Sequence, residues 1–168
     1  FKGRHREIMT EGRWTELFFL DEATGLAAGH RPCAECQRAR YLEFRDAWTR
    51  ANWPDDAPSW PRAEAIDDRL HADRLDEFQR HRGYRSKLDA LPDGVFITLN
   101  ESSNQPVLIH RRRLLAWSPG GYTSLADWPR QAVVRVLTPC STVTAIRAGF
   151  TPRVHPSADR LASCPIIL

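Results

Sequence analysis

Two cysteines three residues apart, Cys33 and Cys36, are the feature of this sequence with chemistry of its own. Thiolates at that spacing can share one tetrahedral zinc ion, at Zn–S distances of about 2.3 Å. His5, His30, Cys140 or Cys164 would then supply the remaining ligands of one zinc per chain. The same spacing also suits a thioredoxin-like redox pair. That reading expects a strand just before the motif, where this chain carries a helix and a glycine stop. A second set of candidates is His71, Asp73, His81 and His110. Imidazoles and carboxylates of this kind serve metal-dependent phosphodiesterases and nucleases, although these spacings match no known motif. Asp67 and His71, one helical turn apart, can share a ligand or a proton, or simply a surface hydrogen bond. No P-loop, dinucleotide fingerprint, nucleophile elbow or H-E-x-x-H occurs.

The other chemistry is that of arginine. The net charge is only +3, and of 24 basic residues just Lys2 and Lys87 are lysine, leaving 22 arginines. Guanidinium forks grip phosphates and stack on bases. Three segments concentrate them: Arg4 and Arg6, then Arg80, Arg82, Tyr84 and Arg85, then Arg111, Arg112 and Arg113. In the second, Tyr84 would stack on a base while the charges follow a strand. Codon bias alone would also produce this arginine preference, and surface turns carry such charges idly.

These groups need elements to place them. Asp21 is a good N-cap for a short helix from Glu22 to Ala28, and Gly29 sits where a left-handed C′ residue belongs. Pro32 stops that helix and is suited to start another, predicted to run to about Ala51. Cys33 and Cys36 would then lie in its first turn, where unpaired N–H groups favour thiolates. Tyr41, Phe44 and Trp48 form its apolar stripe. A Pro- and Asp-rich loop over residues 52–61 precedes a second helix, Arg62 to Gln79, with Ile66, Leu70 and Phe78 on one side. Trp14 to Leu20 read as strand-like. After Leu91 the pattern turns to strands: Val95–Leu99, Val107–Ile109, Leu114–Trp117 and Val133–Leu137. Ser141 caps a last helix, Thr142 to Ala148, and the tail from His155 reads as irregular.

The run F-F-x-x-x-A-x-x-L-A-A-G-x-R-P-C-x-x-C, from Phe18 to Cys36, resembles the second half of the N-terminal metal-binding domain of the Ada DNA-repair protein. The likeness covers residues 15–38 and is free of gaps. In that family two cysteine pairs hold zinc, and one cysteine of the first pair accepts a methyl group from a DNA phosphotriester. The resemblance implies that Cys33 and Cys36 are the second ligand pair. The first pair would fall near Lys2 and Arg6, where no cysteine stands; His5 is one position away. Methyl transfer needs a nucleophilic sulfur there, so the resemblance implies the module without its repair chemistry. It also leaves open a vestigial pair that binds no metal.

The expected fold is α+β. A small Ada-like, metal-binding-type N-terminal part with its following helix spans residues 1–54. A helical basic segment spans 55–91, and a small antiparallel β-rich part with one short helix spans 92–168, together forming one compact unit. At 168 residues and 42% hydrophobic, the chain can bury a sizeable core. No run reaches the eighteen or so apolar residues of a membrane span, so no membrane partner is expected. One close cysteine pair is no disulfide framework, which points to a reducing, cytoplasmic setting. The leading expectation is a DNA-binding or DNA-processing protein with an Ada-like module that can hold zinc and lacks the methyl-acceptor cysteine. The alternatives are a metal-dependent nuclease, and an interaction protein whose Cys-x-x-C is purely structural.

Overall fold

Alternation along the central strands shows why the chain needs helices on two sides. In β3 (Val107–His110) every residue is buried. Val107 and Ile109 join one apolar cluster, whereas Leu108 joins another. Successive side chains of a strand point to opposite faces, so both faces of this sheet must be covered. The computed structural model describes residues 10–11, 17–57, 59–78, 80–100, 104–126, 128–129 and 131–162. The expectations for Arg4, His5, Arg6 and Cys164 lie outside the described residues.

The fold is α+β. Helices α1 (Glu22–Ala27), α2 (Arg38–Asn52) and α3 (Ala63–Arg74) precede strand β1 (Tyr84–Lys87). Then come β2 (Phe96–Thr98), β3, β4 (Arg113–Ser118), β5 (Gly121–Ala126) and β6 (Val133–Val136), followed by α4 (Cys140–Arg147) and α5 (Pro156–Ala162). The six strands form one antiparallel sheet in the order β1-β6-β2-β3-β4-β5. On one face Ile97, Val107, Ile109, Leu114, Val134 and Val136 pack under α2, α3 and α4, through Phe44, Trp48, Ile66, Leu70 and Val143. On the other, Phe96, Leu108, Leu115 and Tyr122 meet Ala23 of α1 and Ala158 of α5. The larger cluster draws on all three stretches into which the sequence was divided, from Leu26 through Ile66 to Phe150.

Several elements depart from the sequence reading. Helix α2 begins at Arg38, not Pro32: Gln37, with φ −129°, interrupts the helical path, so the two cysteines precede the helix. Helix α3 stops at Arg74, and the chain turns back at once through an antiparallel bridge between Leu75 and His81. Phe78, expected on an apolar helix face, is therefore exposed. Leu17–Phe19 form no strand. Strands β1 and β5 and helix α5 are additions. Helix α4 is capped not by Ser141 but by Asp73 of α3, whose Oδ2 accepts from Ser141 N at 2.8 Å.

The β3–β4 hairpin closes with Arg111 and Arg112, both left-handed at φ 49° and 56°. A two-residue loop of this hand matches the twist of the strands but suits Asn-Gly better than arginine. Asp93 holds it by accepting from Arg111 N at 2.7 Å.

Phe44 is fully buried and meets Phe150 edge-on, with ring centroids 5.2 Å apart. Phe44→Ala should cost about 3–5 kcal/mol, read as a lower urea midpoint with an unchanged slope. A loss below about 1 kcal/mol would mean that the α2–α4 layer repacks freely.

Candidate functional site

The cysteine pair is placed by the way α1 ends. Asp21 accepts from Thr24 N at 2.8 Å to start the helix. At its end Gly29 N donates to Leu26 O and His30 N donates to Gly25 O, the paired bonds of a Schellman motif. Gly29 carries φ 82°, and a Cβ there would lie 2.6 Å from Arg74 Cδ. Only glycine meets both demands. The same stop recurs after α4, where Gly149 N donates to Ile146 O and Phe150 N to Ala145 O. The A-G-x-x-P pattern that Ala28–Pro32 and Ala148–Pro152 share is thus common capping chemistry.

After that stop Arg31 turns onto Asp67 of α3, with Nε 2.7 Å and Nη2 2.8 Å from its two oxygens. Its guanidinium lies over the Tyr41 ring at 5.0 Å. Pro32 is buried, and Cys33 to Gln37 make one closed turn, in which Gln37 N donates to Cys33 O at 3.0 Å. Both thiols are exposed, and Cys36 N points at Cys33 Sγ from 3.5 Å.

The two sulfurs are not equivalent. Burial would push the Cys33 thiol up, but hydrogen bonds from the Cys36 thiol and from the N–H groups of Cys36 and Glu35, with the charge of Arg31, hold it below its ordinary value. Cys36 is pushed up, first because it donates to Cys33, then by burial and by the neighbouring negative charge. A turn that donates N–H groups to one sulfur and sets a second thiol beside it suits a pair of metal ligands.

The pair opens on a cleft of about 570 Å³ whose walls include Leu17, Phe18, Phe19 and His30. The His30 ring is tilted against Phe19 with centroids 5.2 Å apart. Its pKa is lowered by burial and by Arg74, against a smaller opposing pull from Asp67. His30 shares the cleft with the thiols. Among the described residues, however, no three His, Cys, Asp or Glu side chains are grouped to hold a metal.

The nuclease candidates are dispersed. His71 is exposed on α3, and Asp67, its possible partner, is engaged by Arg31. Asp73 caps α4 and takes Arg69 Nε at 2.9 Å. His81 sits in the bridge to Leu75. His110 is buried, with Nε2 3.1 Å from Asp159 Oδ1. A serine–histidine contact that the sequence reading missed, Ser157 Oγ to His155 Nδ1 at 2.9 Å, is local architecture. The same ring nitrogen accepts from Ser157 N, and Ser157 Oγ accepts from Tyr122 N.

The arginine segments fare differently from one another. Arg80 pairs with Asp76 at 2.8 Å and lies over Phe78. Tyr84 packs against the core, where burial and then the neighbouring Cys140 push its hydroxyl up. Arg85 is exposed on β1. Arg111 pairs with Asp159 at 3.2 Å, Arg112 lies over Trp128, and Arg113 donates to Leu161 O. The hairpin arginines thus bind α5 and neighbouring loops to the sheet. Arg74 was missed altogether, because its place beside Gly29 and His30 depends on how α3 packs.

No family model matches this chain, and no curated protein or solved structure does. Among the described residues, no helix is long and apolar enough to cross a membrane.

In metal-free protein at neutral pH, iodoacetamide should modify Cys33 before Cys36, since the thiolate is the nucleophile; peptide mapping gives the order. Equal rates would show that the asymmetry does not persist in solution.

His81 yields a pH prediction. Burial, then Arg74 and Arg135, lower its pKa in the folded state. The unfolded chain therefore binds a proton that the folded chain refuses, and stability falls as pH drops below the ordinary histidine value of about 6.5. His81→Gln should flatten the fall of Tm between neutral and mildly acidic pH. An unchanged profile would assign that fall to other groups.

Proposed function

We propose that this chain is a DNA-binding protein whose Ada-like N-terminal part holds one zinc ion through Cys33 and Cys36. The observation that carries the reading is the Cys33–Cys36 turn itself, with two exposed thiols set side by side and N–H groups donated to the more acidic one. Two donors fit half of a tetrahedral set. The others would come from elsewhere: His30 shares the cleft with the thiols, and His5 stands one position from where the family carries its first pair. Such an ion would serve as a structural cross-link, fixing the turn against the segment that completes the shell. The chain has no cysteine near position 2 to accept a methyl group, so recognition without repair is the function proposed. Arg74 supports the DNA part of the reading, since it sets positive charge against the Gly29–His30 end of the module.

The unequal thiols also suit a second reading, a dithiol–disulfide couple. It predicts a metal-free protein in which a Cys33–Cys36 disulfide forms and is reduced reversibly.

The full chain should purify with about one zinc, and Cys36→Ser should release it and lower Tm. A labelled DNA duplex should bind with an affinity that falls steeply with salt. Zinc content near zero would overturn the metal reading, and no binding at low salt would overturn the DNA reading. Methylated Cys33 or Cys36 after incubation with phosphotriester DNA would restore repair chemistry.

A further inference from the structure

Three arginines come together where α3 ends and the chain turns back towards the sheet. Arg74 is the last residue of α3, and its carbonyl accepts from Arg82 N at 2.6 Å. Arg82 reaches back over the helix end towards Ala72 O at 3.4 Å. Arg135 comes from β6, with Nη2 3.3 Å from His81 O. Gly83 makes that approach possible: a Cβ there would collide with the Arg135 Nε and stand 3.0 Å from Val136 O.

The carboxylates nearby are engaged elsewhere. Asp67 takes both forks of Arg31. Asp73 takes Arg69 and the N–H of Ser141. Asp76 takes the N–H groups of Phe78 and Arg80 and the Arg80 guanidinium. Among the described residues, none of Arg74, Arg82 and Arg135 makes a salt bridge with a carboxylate. Arg74 Nε is also buried without a hydrogen-bond partner. The crowding is felt at His81, whose protonation Arg74 and Arg135 both oppose. Like charges gathered without a counter-charge repel, so the folded chain bears a cost here that an arriving anion would remove.

We propose that Arg74, Arg82 and Arg135, gathered around His81, form a subsite for the phosphodiester backbone of a DNA strand. The proposal rests on the DNA-binding reading and gives it an address. Arg82 is exposed while Arg74 and Arg135 are half-buried, so the strip opens to solvent on its Arg82 side. An open strip of this kind suits a polyanion laid across it, with forks donating to successive phosphate oxygens and condensed counterions released. Arg74 joins the strip to the cysteine module, since its side chain runs beside Gly29 and faces His30.

The experiment is a salt titration of duplex DNA binding by the full chain, comparing wild type with R82A, R135A and the double variant. Each arginine that neutralises a phosphate contributes about 0.9 to the log–log slope, so the double variant should lose about 1.8. R135K keeps the charge and should retain most of that slope, which a merely packing role for Arg135 would not predict. Among the described residues the Arg82 side chain makes one long hydrogen bond, to Ala72 O at the helix end, so R82A should keep the wild-type Tm and decide the matter if R135A does not fold. A double variant with the wild-type slope overturns the subsite and leaves DNA binding elsewhere on the protein. No wild-type binding at low salt overturns both.

Discussion

Asp21 is the residue on which the arrangement of the two sheet faces depends. Its Oδ1 accepts from Thr24 N and Thr24 Oγ1, and its Oδ2 accepts from Tyr122 Oη at 2.7 Å and His155 N at 2.9 Å. One carboxylate thus starts α1, reaches the edge strand β5 and fixes the approach to α5. The next residue continues the pattern. Glu22 accepts from Arg40 Nε and Nη2 of α2 and from Arg153 N. Burial opposes its ionisation, but these hydrogen bonds and the charges of Arg40 and Arg153 hold its pKa below the usual carboxylate value. Hydrogen bonds to charged groups contribute roughly 1.5–3 kcal/mol each. Segments far apart in sequence therefore meet at one short helix, and the Cys33–Cys36 turn follows directly from its end.

What could be read in the sequence was what is encoded locally. The Asp21 cap, the Gly29 stop and the Tyr41–Phe44–Trp48 stripe each involve residues within a turn or two of one another, and all are present. The strands β2, β3 and β4 were legible because burial on both faces makes them continuously apolar. Strand β1, Tyr-Arg-Ser-Lys, was not, since an edge strand with one exposed side needs few apolar residues. Helix α5 is held in place by partners remote in sequence, through Ser157 Oγ at Tyr122 N and the Arg113 guanidinium at Leu161 O.

The functional residues divide in the same way. The cysteine pair is a local motif and needed no tertiary information. The arginines could be counted from sequence but not sorted, because a guanidinium's role depends on its partner. Arg111 and Arg113 reach α5 and Arg112 has the Trp128 face, so the dense triplet ties α5 and a neighbouring loop to the sheet. The isolated Arg74 and Arg135 instead both oppose protonation of His81. Density along the chain was a poor guide to charge density in space.

The sheet is open, and β1 is one of its two rims. A rim strand offers unpaired N–H and C=O groups to any extended chain that drifts past. On β1 the exposed residues are Arg85 and Lys87, the latter one of only two lysines in a chain otherwise reliant on arginine. Two like copies brought edge to edge would have to bury those cations against each other. Charge placed on a rim strand in this way disfavours pairing of like edges.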